Sequence, residues 1–254
     1  MDLEKTLARA GDFIALHGEV LDRIFFETLA RERDATELLE ELVRRQEPAG
    51  AIAPWRRRGE AGETSTAVAL RRLDALGLLD HPLPEAAVGY LQARQAADGG
   101  WGTGDDALRL QQTGEIGGLL AKTPFGRPSV LLSAERFLAK HWSVVQVRAG
   151  GAAAIEAFVH MLAHAPSELA DEAMQWCGRE LERGYRAKAF SALATARVFL
   201  CARARALPGC QVDAAELVAA LANEQEDDGG WSGAGRDARL DATLDAVEVL
   251  LRLG

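Results

Sequence analysis

Two segments of this chain repeat one another closely enough to constrain everything between them. Residues 90–102 read YLQARQAADGGWG, and residues 221–233 read LANEQEDDGGWSG. In each, a stretch with helical apolar spacing ends at Gln, passes a few polar residues and reaches Asp-Gly-Gly-Trp. A third, looser copy, LVRRQEPAGAIAPW, spans Leu42 to Trp55. Trp55 and Trp101 lie 46 residues apart, and Trp101 and Trp231 lie 130 apart. Three periods of about 43 residues fit the longer gap, which places two degenerate repeats inside it. That period holds two helices with their connections, and six such units account for the 254 residues.

Apolar spacing at three and four residues supports the count. It predicts helices at about residues 3–17 and 19–31, 34–46 and 64–77, 84–95 and 105–122, 129–140 and 150–165, 167–181 and 186–205, and 212–224 and 237–253. Pro82 and Pro84, Pro124 and Pro128, Pro166, and Pro208 with Gly209 punctuate the boundaries. No segment alternates as a half-buried strand does, so the chain reads as all-α. The second helix of each pair is rich in small residues, as in GGAAAIEAFVHMLAHA and AFSALATARVFL. Small side chains let backbones approach closely, which suits an inner ring. The first helices, such as ATELLEELVRRQ, are regularly amphipathic and suit an outer one. The expected architecture is a single domain, residues 1–254, forming an α/α toroid of six hairpins; an open solenoid of helix pairs is the competing geometry.

Composition narrows the function classes. At 48% hydrophobic and 26% charged, the chain has ample material for a core. No run approaches the ~20 apolar residues of a membrane span. MDLEKTLARAGDF begins with acids where a secretory leader has a basic start, so a cytoplasmic protein is expected. A net charge of −9 argues against nucleic acid as partner. The basic run Arg56-Arg57-Arg58 is short and read as a solvated loop. Cys177, Cys201 and Cys210 have no metal-type spacing and read as free thiols.

The Gln…Gly-Gly-Trp segments, specific at Gln95, Gly99, Gly100 and Trp101 and at Gln225, Gly229, Gly230 and Trp231, resemble the QW-type repeats of the squalene–hopene cyclase and prenyltransferase superfamily. The resemblance implies the six-hairpin barrel and a central cavity for isoprenoid substrates. The motif residues themselves read as structural staples: Gly-Gly permits the turn, Trp covers it and donates its N–H to a carbonyl, and Gln bridges backbone at helix ends. Superfamily members that cyclise by protonation resemble one another in an Asp-x-Asp-Asp at the start of an inner helix. This chain has Glu63-Thr-Ser-Thr66, Arg109-Leu-Gln-Gln-Thr113 and Asp241-Ala-Thr-Leu244 at the comparable places. The Asp-x-Cys of zinc-dependent protein prenyltransferases is replaced by Asp241-Ala-Thr243, and the DDxxD pattern is absent.

What remains are polar stripes at helical spacing. Glu156, His160 and His164 form one, and Asp237, Asp241 and Asp245 form another with Glu248 nearby. Arg109, Thr113 and Glu115 share one helix, and Ser191 and Thr195 another. A carboxyl among Asp241, Asp245, Glu156 and Asp106 is expected to supply or take a proton, with His160 assisting. Phe158, Phe190 and Phe199, with Arg109, Thr113 and His164, are the expected substrate contacts; Phe25, Phe26 and Phe125 are further aromatic candidates. Each stripe has a plainer reading: acids in the first turns of a helix favour its dipole, and histidines pack between helices. Glu156, His160 and His164 also have the spacing of a metal site, a minor option; no cofactor is expected. Three functions stay open: a cyclase- or isomerase-like enzyme for an apolar substrate, a non-catalytic toroid that binds an apolar ligand or partner, and a metal-dependent enzyme built around His160 and His164. No oligomeric state follows from the residues.

Overall fold

The computed structural model describes residues 2–56 and 59–254; Arg57 and Arg58 lie outside the described residues. Among the described residues twelve α-helices and no strand are found: α1 (Leu3–His17), α2 (Val20–Ala30), α3 (Thr36–Arg45), α4 (Glu63–Ala75), α5 (Pro82–Ala93), α6 (Asp106–Ala121), α7 (Pro128–His141), α8 (Val144–Leu162), α9 (Ala170–Arg186), α10 (Ala192–Cys201), α11 (Ala214–Asn223) and α12 (Arg236–Leu253). Local chemistry starts them where the chain offers a cap. Asp105, Ser143 and Ser191 accept backbone N–H groups three residues on, and Pro82 and Pro128 occupy first turns.

The even-numbered helices form one continuous set, with α4 on α6, α6 on α8, α8 on α10, α10 on α12 and α12 on α2. Odd-numbered helices pack outside them: α7 against α6 and α8, α9 against α8 and α10, α11 against α10 and α12, and α1 against α12 and α2. The last helix thus meets the first two, a packing consistent with a helical toroid. Small residues allow the tight inner contacts, as expected. A Cβ at Gly114 of α6 would stand 2.3 Å from the Ala157 carbonyl oxygen of α8, and one at Gly118 would stand 2.3 Å from the His160 ring.

The repeated motif staples this ring. Gln95 Nε2 donates to the carbonyls of Gly99 and Val130, and Gln225 Nε2 donates to those of Gly229 and Thr6. Trp101 Nε1 donates to Leu91 and Trp231 Nε1 to Leu221, while the two Trp backbone N–H groups donate to Thr113 and Thr243 hydroxyls. Gly99 and Gly229 adopt φ of +91° and +90°, and a Cβ at either would lie 2.1–2.2 Å from a carbonyl of the next outer helix, Ser133 or Arg9. Only glycine fits there. Because Thr6 and Arg9 belong to α1, the final motif ties the end of the chain to its beginning.

The third copy carries a correction. Gln46 bonds Gly50 and Leu83 carbonyls, Gly50 has φ of +95° against Ala86, and Ile52 N–H donates to Thr66. Ile52 therefore fills the Trp position. Trp55 lies three residues beyond and donates instead to the Asp22 carboxylate at 3.0 Å. Arg56 is also corrected: it is buried, not solvated, and its Nε sits 2.9 Å from both Asp22 oxygens. The three thiols are free and buried.

Candidate functional site

Charged side chains converge where the inner helices face one another. Arg71 and Asp74 come from α4, Glu115 from α6, Glu156 and His160 from α8, Arg197 from α10, and Asp245 and Glu248 from α12. They line an axial cavity of about 40 Å³. A second compartment of about 120 Å³ shares Glu115, Glu156, His160 and Arg197 with it and adds Gln111. Gln111 also lines a wider pocket of about 470 Å³ among α6, α7 and α8, whose rim holds Asp106 and His141. The three spaces lie in sequence from the N-terminal ends of α6 and α8 toward the axis. The two inner ones have room for a few water molecules or one small polar group, whereas the outer one has the size of a ligand pocket.

A ladder of ion pairs frames the cavity. Asp22 holds Arg56, which reaches Asp241 at 2.9 Å. Arg72 contacts Asp241 at 3.1 Å and Asp245 at 2.7 Å. Arg197 then stands 3.6 Å from Asp245 and 3.4 Å from Glu156. Arg71 is held less closely: it stands 3.9 Å from Glu115, and among the described residues its Nε has no hydrogen-bond partner. Loosely held guanidinium donors facing a void are available to a ligand's oxygen atoms.

Burial sorts the titratable groups into roles. Burial drives the Asp245 carboxyl upward, but Arg72, Arg71 and Arg197 outweigh it and hold the group well below the usual carboxylate range. Asp245 is an anion that anchors arginines. Among the described residues Glu248, one turn on, pairs with Arg252 at 3.6 Å; burial, with Asp245 beside it, outweighs Arg252 and Arg72 and pushes its carboxyl up to about 7. His160 is 4% exposed, and among the described residues its Nε2 has no hydrogen-bond partner. Burial, reinforced by Lys122 and His164, drives its pKa well below the ordinary histidine value, so the imidazole is neutral. A neutral imidazole and a carboxyl that titrates near neutrality thus share one cavity, an arrangement suited to proton transfer.

Of the residues singled out from the sequence, Glu156, His160 and Asp245 line the axial cavity, and Asp241 is outside its lining, paired with Arg56 and Arg72. The others are elsewhere. Asp106 is on the outer rim, its carboxylate 4.0 Å from His141 Nδ1. Arg109 grips Asp98 through two bonds of 2.8 Å and stacks on Phe137. Its counterpart Arg239 does the same with Asp228 and Phe13, so the recurrence marks a staple of the repeat. Thr113 is taken by Trp101. Phe158 is fully buried, edge-on to Trp142, and Phe190 packs where a Gly184 side chain would stand. Phe199 is buried beneath a separate pocket at the opposite end. His164 Nε2 donates to the Cys201 carbonyl at 2.7 Å and faces away from a ligand set with Glu156.

The cations escaped the sequence reading. Arg71, Arg72 and Arg197 sit inside alanine-rich inner helices, STAVALRRLDALG and AFSALATARVFL. A charge embedded in such a helix, with no water to receive it, was the available sign. Gly118 was a second: its missing side chain is the space His160 occupies.

No protein-family model matches the chain, and no curated protein matches it. Among solved structures, the chain is similar to a crystal structure of a protein from Actinoplanes, with a TM-score of 0.65 at 15% identity, each chain covered over 99% of its length. At that identity the likeness concerns the fold: the chain shares its helical architecture with that protein from end to end.

Proposed function

We propose that this protein is a cyclase- or isomerase-like enzyme that moves a proton on a partly apolar substrate at the axial cavity. The observation that carries the reading is the pairing of His160, neutral with an open ring nitrogen, and Glu248, a carboxyl pushed up to about 7, around one void. Buried ionisable groups cost several kcal/mol each unless compensated, so a barrel needing only stability would fill its axis with apolar side chains. In this reading the Glu248 carboxyl donates a proton to one substrate atom and the His160 imidazole removes one from another. Solvent then returns both groups to their starting states. Arg71 and Arg197 hold a polar group of the substrate, and its apolar body occupies the pocket among α6, α7 and α8.

The test is a panel of isoprenoid alcohols, epoxides and similar apolar compounds incubated with the protein in deuterium oxide, with products read by mass spectrometry. Deuterium incorporation that vanishes in both His160→Ala and Glu248→Gln, with helicity unchanged, supports the reading. A compound that raises Tm without any deuterium uptake sinks it in favour of the second reading, a toroid that binds an apolar ligand without turnover. That second reading is favoured by Asp241 and Asp245 being held by arginines.

A further inference from the structure

At the end of the ring opposite the Trp turns, where the inner helices finish, positive charge accumulates. Arg203 and Arg205 follow α10, Arg252 lies in the last turn of α12, and Lys122 caps α6. Arg252 donates through Nη2 to the Asp74 and Ala75 carbonyls, and Arg205 through Nη2 to that of Leu253 and, at 3.5 Å, to the Gly254 oxygen. Arg203 Nη2 pairs with the Asp74 carboxylate, which Lys122 Nζ also reaches at 2.7 Å. Capping the ends of α4 and α12 accounts for part of this. It leaves charge over, because carbonyls carry no formal charge. Arg203 and Lys122 pair with Asp74 and Arg252 with Glu248, while Arg205 meets only the backbone oxygens of Leu253 and Gly254, in a chain whose net charge is −9. Among the described residues the hydrogen bonds of Arg203, Arg205 and Arg252 run through Nη2, so each Nη1 is left without an acceptor. A pocket of about 300 Å³ lies between these three arginines, walled on its apolar side by Leu200 and Leu253.

We propose that this basal pocket binds a small organic anion: a carboxylate or phosphate group held by Arg203, Arg205 and Arg252, with an apolar body against Leu200 and Leu253. The helix ends nearby would repel an anion if their carbonyls were bare, but the arginines already occupy those of Asp74, Ala75 and Leu253. Fork-shaped guanidinium groups match either anion, and the pocket volume admits a body the size of a phenyl ring. Leu200 also lines the axial cavity, so the two sites adjoin. The proposal does not depend on proton transfer at His160 and Glu248.

The experiment is calorimetric titration of the whole protein at low salt with benzoate, phenyl phosphate and inorganic phosphate. The expected result is saturable binding of one equivalent of an aromatic anion, tighter than inorganic phosphate. It should weaken about tenfold in the exposed variant Arg205→Gln and be unchanged in Arg44→Gln on α3. The two aromatic probes distinguish carboxylate from phosphate as the preferred group. Absence of saturable binding by either aromatic probe overturns the proposal. So does binding that Arg205→Gln leaves unaltered in a folded protein, or equal affinity for inorganic phosphate, which would remove the apolar wall's role.

Discussion

Replacing Arg72 by Met tests whether the axial ladder is a set of mutually dependent charges. Arg72 is 1% exposed, donates to Asp245 at 2.7 Å and to Asp241 at 3.1 Å, and stacks 5.1 Å from the Phe25 ring centre. Met keeps much of the packing and removes the charge. A hydrogen bond between charged groups contributes about 1.5–3 kcal/mol. Stranding one partner of a buried pair costs about 3–5 kcal/mol in all. Asp245 retains Arg197 at 3.6 Å and the nearby charge of Arg71, so the expected loss is at the lower end, about 3 kcal/mol, measured by urea unfolding. In a chain of this size that lowers Tm by roughly 10 °C.

Two controls separate charge from packing. Arg72→Met with Asp245→Leu should recover much of the loss, because the stranded anion is gone. Asp245 has its pKa depressed in the fold, so its contribution is present above the unfolded value of 3.8 and disappears as pH falls through the folded value. The gap between wild type and Arg72→Met should therefore be widest above pH 3.8 and close in more acid solution. A cost below about 1 kcal/mol, or a gap that persists unchanged at acid pH, would refute the ladder as a stabilising device.

Two further outcomes are expected. Gly229→Ala places a methyl group 2.2 Å from the Arg9 carbonyl at φ of +90°; the left-handed conformation alone costs about 1–2 kcal/mol, and the displaced contact is the one joining chain end to chain start. Hydrogen exchange should report loosening of α1 as well as the turn; a variant as stable as wild type would show that the ring is not held there. Glu248, whose folded pKa of about 7 exceeds its unfolded 4.5, contributes stability below pH 4.5 that is lost as pH rises through 7. Wild type should lose on the order of 3 kcal/mol over that range relative to Glu248→Gln. His160 acts oppositely, since its lowered pKa makes stability rise toward pH 6.5, so the two proteins must be compared as a difference. Parallel pH profiles would mean that Glu248 is an ordinary carboxylate.

Helices, their order and their inner or outer placement were legible in the sequence because apolar spacing, caps and small-residue content are local properties. Where boundaries differ, the causes are also local: Ser143 starts α8 early, and Gly151, at φ of +60°, kinks it inside. The repeat was visible in Gln, Gly and Trp, yet Trp55 misled on register because the third copy spends its Trp on Asp22 and puts Ile52 under the turn. The Glu156–His160 stripe was readable as a stripe, although which way it faced was not. That direction, the convergence of Arg71, Arg72 and Arg197 upon it, and the separation of Asp245 from Glu248 into an anion and a near-neutral acid all depend on residues far apart in the chain. A sequence records which groups ionise; only the folded ring sets the distances and the burial that decide their charge.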